Sequence, residues 1–201
     1  KVRKLCPLPE TSFEINRISS FFSQKETYLR QNATETKIKS IDLHKARVIL
    51  FATHGLVSGE LEGVKEPALV LTPPDIPTIE DDGLLTASEI TQLKISADWV
   101  ILSACNTGAG VNGNAKGLTG LAKAFFYAGA RSVLVSHWPV DSRATVKLTT
   151  EALNIYLKNP GEGKAEALRK SMMKLAANEN NQEWQHPYFW APFSLVGEGR
   201  N

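Results

Sequence analysis

Sulfur is scarce in this chain: two methionines and two cysteines, Cys6 and Cys105, lying far apart in its 201 residues. That excludes a disulfide framework and a Cys-x-x-Cys metal clip, and it makes a reducing compartment the expectation. Long hydrophobic runs are missing as well. No stretch reaches about 18 apolar residues, and the opening KVRKLCPLPE holds no apolar segment, so neither a membrane span nor a secretory signal is expected. An excess of one charge is absent: 23 Lys and Arg against 21 Asp and Glu give a net +2, with the basic residues scattered. A direct nucleic-acid or membrane partner is disfavoured by that balance. Internal repeats and low-complexity tracts are lacking too. The expected setting is cytoplasmic, and from the start at Lys1 without a methionine the chain is expected to be a fragment of a longer protein.

What the chain has is ordinary globular composition, 42% hydrophobic and 22% charged, at a length suited to one domain over 1–201. Apolar, β-branched runs predict strands at 27–29, 48–53, 68–72, 99–104, 132–136 and 193–196. Two of these, VILFAT and WVILSA, are apolar without alternation, as in strands covered on both faces of a parallel sheet. Helical periods begin near 11, 33, 87, 115, 142 and 162. Thr11 with Glu14 and Thr86 with Glu89 read as capping boxes. The helix near 115–128 puts Leu118, Leu121, Ala122 and Phe125 on one stripe, closed by Gly129; the one near 162–177 does so with Ala165, Leu168, Met172, Leu175 and Ala176. Alternating strands and helices predict an α/β fold with a mostly parallel sheet and helices on both faces. The proline-rich acidic stretch at 73–82 reads as a surface loop.

Ligands and reactive groups of open parallel sheets gather beyond the carboxyl ends of the strands. His54 directly follows VILFAT, and Cys105 directly follows WVILSA. If those strands are neighbours, about 4.8 Å apart, the imidazole and the thiol can reach each other. An imidazole beside a thiol of ordinary pKa, about 8.5, favours the thiolate that attacks a carbonyl and later returns a proton to the leaving amine. The backbone N–H groups of Gly55 and Cys105 are the candidate oxyanion donors. Taken singly, a free cysteine or a strand-end histidine is more often a packing residue. The matched pair is the more specific signal.

Gly108, Gly110 and Gly113 spell G-x-G-x-x-G after a strand and before a helix, which keeps dinucleotide binding open as an alternative. Against it, the first glycine stands several residues past the strand, and no acid ends the next strand, SVLVSHW. His44, His137 and His186 read as packing or capping residues. No ligand spacing points to a metal, and no cofactor is expected.

The chain also resembles the CHAT domain, a caspase-like family often joined to tetratricopeptide repeats and related to caspases and separases. The resemblance rests on FATHG at 51–55, EPALVL at 66–71, DGLLTASEI at 82–90, LSACNTG at 102–108, GLAKAFFYAGARSVLVSHWPVD at 120–141 and HPYFWAPFSLVG at 186–197. Residues 1–45 match only in general character. The resemblance implies a caspase-type sheet of about six strands, with His54 at the end of one central strand and Cys105 at the end of the next. It implies a cysteine endopeptidase acting on a protein or peptide substrate, with Gly55 an oxyanion donor and a tetratricopeptide or other sensor region, on the same chain or a partner, as its regulator. For specificity, relatives that cut after basic residues carry an acid lining the first specificity pocket, which in separase-like members stands beside the tryptophan of the stretch matching HWPVD, where this chain has Pro139. Asp82 and Asp141 are acids at the same edge, with helix capping at Asp141 and a turn at Asp82 as their alternative roles. Ser103, two residues before the nucleophile, matches neither the Gln of caspases nor the Asp of metacaspases. These three are the candidate substrate-binding residues, and a basic or an apolar first-position residue both remain open. A catalytically silent CHAT module that works by binding protein is the remaining alternative.

Overall fold

The computed structural model describes residues 2–103, 116–138 and 141–200, with the backbone alone for Lys4 and for 116–119. Along the chain run α1 (Glu10–Ser19), α2 (Glu35–Ser40), β1 (Val48–Phe51), β2 (Gly55–Leu56), β3 (Ala68–Val70), β4 (Leu84–Thr86), α3 (Ala87–Ile90), β5 (Trp99–Leu102), α4 (Lys116–Ala128), β6 (Ser132–Ser136), α5 (Ser142–Lys158), α6 (Lys164–Ala176) and β7 (Phe193–Gly197). The main sheet has the order β1-β5-β6-β7. Its first three strands are parallel, and β7 runs antiparallel to β6.

β5 is the buried strand that the unbroken apolar run predicts. Val100 and Leu102 face one core with Leu121, Ala122 and Phe125 of α4; Trp99 and Ile101 face a second core with Ile18 of α1, Leu148 of α5 and Leu168 of α6. Successive side chains of a strand point to opposite faces, so one strand serves both cores. The α/β class, the mostly parallel sheet and the helices on both faces therefore form as expected.

Local chemistry sets the helix ends. Thr86 and Glu89 close their capping box at the start of α3, and Asp141 caps α5 by accepting from the Ala144 N–H at 2.9 Å. Gly129 ends α4 at φ 110°, where a Cβ would stand 2.1 Å from the Ile95 carbonyl oxygen, so no other residue fits. Thr11 and Glu14 make no capping box. α1 starts at Glu10, the Thr11 hydroxyl turns back to the Leu8 carbonyl, and Glu14 points inward with Ile18. In α6 the buried stripe is Lys164, Ala167, Leu168, Ser171 and Leu175, so Ala165 lies off it.

Three strand expectations change. Residues 27–29 form no strand: no other strand lies alongside them, and Arg30 at φ 51° turns the chain into a short 3-10 turn. Among the described residues the main sheet has four strands, not about six, because β2, β3 and β4 pair antiparallel with one another as a separate sheet. As a result β1, expected to be central, lies at the sheet's edge.

The two-core packing predicts that Phe125→Ala, emptying a side chain with no solvent exposure that tilts against Phe51, destabilises the fold by about 3–5 kcal/mol. Tyr127→Ala on the exposed face of the same helix, 81% exposed, should stay within about 0.5 kcal/mol. Urea denaturation of both variants reads the contrast.

Candidate functional site

β1 and β5 are parallel neighbours, and their register sets Phe51 opposite Leu102. His54 lies three residues beyond Phe51, and Cys105 three beyond Leu102. Cys105, like the remainder of 104–115 with its three loop glycines, lies outside the described residues, and so does Pro139.

The backbone around His54 is stitched to β3. The Thr53 hydroxyl donates to the Val70 carbonyl, and the Val70 N–H donates to the His54 carbonyl at 2.8 Å. This Val70-to-His54 bond lies one step beyond the Gly55–Leu69 pair and extends the antiparallel ladder. The Gly55–Leu69 pair is of the kind in which both N–H groups point away from the partner strand. Gly55 is buried, and its N–H is directed off β3.

The imidazole is held from the amino-terminal segment. His54 Nε2 lies 2.7 Å from the Cys6 carbonyl oxygen, which can only accept, so Nε2 carries a proton. In the neutral ring this leaves the lone pair on Nδ1. The segment itself is anchored: Val2 and Leu5 pack on an apolar cluster with Leu56, Val64 and Val70, and the Arg3 guanidinium donates to the Pro74 carbonyl at 2.7 Å.

Beneath the exit of β5 lies a buried carboxyl. Ser103 is 3% exposed, and its hydroxyl donates to Glu14 Oε2 at 2.7 Å. The Thr149 hydroxyl donates to Oε1 at 2.5 Å. Glu14 is 1% exposed, and burial pushes its pKa up to about 7, against the opposing pull of the Thr149 and Ser103 hydroxyls. A second buried carboxylate, Glu35 on α2, accepts from the N–H groups of Asp82, Gly83 and Leu84 and pairs with Lys39, which also reaches Glu89. It fixes the turn that carries Asp82, whose own Oδ1 accepts from the Leu84 N–H at 2.9 Å. Asp82 is exposed and Asp141 partly buried; one is a turn former and the other the cap of α5.

Neither Glu35 nor the Cys6 carbonyl stands out in the sequence, and Glu14 reads there as half of a capping box with Thr11. For Glu14 the available signal was its i, i+4 spacing to Ile18, which sets an acid on an apolar stripe. The other histidines have structural partners: His44 with Ser96, His137 with Ser194, and His186 with the Tyr188 N–H. Among the described residues no group of three or more His, Cys, Asp or Glu could hold a metal ion, and no helix is long and apolar enough to cross a membrane.

Comparison with known proteins adds the lineage. The CHAT domain family matches over residues 3–198. The chain is 30% identical over 225 residues to tetratricopeptide repeat protein 28 of Mus musculus, covering 95% of this chain and 9% of that protein. To the Homo sapiens protein of the same name it is 28% identical over 229 residues, covering 95% and 8%. The chain therefore spans less than a tenth of the length of these curated relatives.

The buried carboxyl gives the fold a pH signature. Glu14 titrates near 7 when folded and near 4.5 as a free side chain, so the unfolded chain releases this proton first as pH rises. Its contribution to stability is complete below about pH 4.5 and is lost as pH rises through about 7, a change of roughly 3 kcal/mol. Glu14→Gln removes this step. Urea midpoints of the wild type and the variant, taken from pH 4.5 to 8, should diverge in the variant's favour with rising pH; parallel curves would contradict the assignment.

Proposed function

Because the chain belongs to the CHAT domain family, matched over 3–198, we propose that it is a cysteine endopeptidase domain, with Cys105 as nucleophile and His54 as general base. The observation that carries this reading is the parallel β1–β5 pair with Phe51 opposite Leu102. From those two partnered residues the chain continues by the same number of residues to the imidazole and to the thiol. Adjacent strands lie about 4.8 Å apart, so equal extension brings complementary groups within reach.

The chemistry follows from the state of the ring. The Cys6 carbonyl holds Nε2–H and orients the imidazole, as a third group does in catalytic triads. Nδ1 takes the proton of the Cys105 thiol. The thiolate adds to the carbonyl carbon of the scissile bond, and the N–H groups of Gly55 and Cys105 receive the oxyanion. As the C–N bond breaks, Nδ1–H passes its proton to the leaving amine, and a thioester remains on Cys105. Water, deprotonated by Nδ1, then cleaves the thioester, releasing the carboxylic acid and restoring the thiol. No metal or cofactor enters these steps.

The substrate on this reading is a protein or peptide. Regulation falls to a protein-binding region joined to the domain or bound to it, a reading supported by the tetratricopeptide repeat in the names of both relatives. First-position selection is assigned to Asp82 and Asp141, with Ser103 as the third candidate.

Digestion of a peptide library, read by mass spectrometry, tests the proposal. Cys105→Ala should abolish cleavage while the urea midpoint holds, and His54→Ala should lower the rate by roughly 10³-fold or more. Cys6→Ser should cleave like the wild type, since its role lies in the backbone carbonyl. Asp82→Asn and Asp141→Asn report whether either acid selects the first-position side chain. Cleavage that survives in Cys105→Ala or in His54→Ala would remove the dyad, whereas a folded wild type that cleaves nothing would put the protein-binding module in its place.

A further inference from the structure

Glu14 is a buried ionisable group that the proposed chemistry does not use. Three elements remote in sequence meet at its carboxyl: α1, which carries it, the exit of β5 through the Ser103 hydroxyl, and α5 through the Thr149 hydroxyl. No cation pairs with it among the described residues, and its pKa is shaped by burial and these two hydroxyls. A buried carboxyl without a counter-charge is costly, and an apolar side chain, such as Ile18 one turn on, packs against the same sheet at lower cost. Stability alone does not account for it.

Its location does. The β1 ladder holds β5 as far as Leu102, and the β6 ladder as far as Ile101. Ser103 is the first residue past both, and its side chain is fastened to Glu14. Cys105 follows Ser103 by two residues in the sequence. We infer that Glu14 is a positioning residue, holding the exit of β5 through the Ser103 hydroxyl at the height from which Cys105 meets His54. The inference rests on the reading of Cys105 as the nucleophile.

The tether survives either protonation state. When Glu14 is ionised, both hydroxyls donate to it. When it is protonated, it donates to Thr149 Oγ1, whose own proton turns to the Thr145 carbonyl at 2.9 Å, and Ser103 still donates to Oε2. An amide reproduces the second arrangement, with its oxygen accepting from Ser103 and its NH₂ donating to Thr149. Leucine at this position keeps the volume and breaks the tether.

The test is the alkylation rate of Cys105 by iodoacetamide at pH 7, read by mass spectrometry, with Cys6 as the internal reference and the urea midpoint as the check on folding. Glu14→Leu and Ser103→Ala should each slow Cys105 by about tenfold or more, since displacements near 1 Å cost on the order of 10²-fold in such sites. Cys6 should be unaffected, and Glu14→Gln should restore the Cys105 rate to within about twofold of the wild type. If Glu14→Leu does not fold, Ser103→Ala, which deletes one oxygen, decides the matter. Cys105 rates equal to the wild type in the folded variants would overturn the inference alone. A wild-type Cys105 that alkylates no faster than Cys6 would overturn the nucleophile reading, and the inference with it.

Discussion

Everything at the candidate site depends on the parallel pairing of β1 with β5. Four consecutive pairs, Val48 with Trp99 through Phe51 with Leu102, fix two strand ends at one height. A slip of one residue would turn every side chain of a strand to the wrong core. The alternation of β5 between two cores, with Trp99 and Ile101 on one side and Val100 and Leu102 on the other, makes that slip prohibitive. Register is thus set by burial, and the relative positions of the residues that follow are set by register.

Beyond the ladders, polar atoms take over from packing, and most of them come from the first forty residues. The Cys6 carbonyl holds the imidazole, Glu14 holds Ser103, and Glu35 holds the turn at Asp82. Two are buried carboxylates facing hydroxyl or backbone donors. Such groups add little net stability but have few satisfactory alternatives, so they specify geometry where the apolar core no longer does.

This division explains what could be read from the sequence. Segments whose partners are apolar and periodic are legible: α4 and its Gly129 terminus, β5, and the parallel pairing of β5 with β1. Residues 27–29 look β-prone but have no partner strand, and pairing is a tertiary property that a local pattern does not carry. β2 and β4 are two and three residues long, too short for a period to register, so the separate antiparallel sheet leaves no mark in the sequence and β1 reads as central. Glu14 was assigned to a capping box because Thr-x-x-Glu has that spacing; only the sheet behind α1 turns the carboxyl inward. A backbone carbonyl such as that of Cys6 leaves no residue signature at all.

The measurement that tests the central claim most directly is labelling of the intact chain with a peptide acyloxymethyl ketone library, mapped by mass spectrometry to Cys105 and Cys6. The account predicts labelling confined to Cys105, dependent on the first-position side chain and lost in His54→Ala. Equal labelling of both thiols, or labelling of Cys105 that is indifferent to His54, would contradict it.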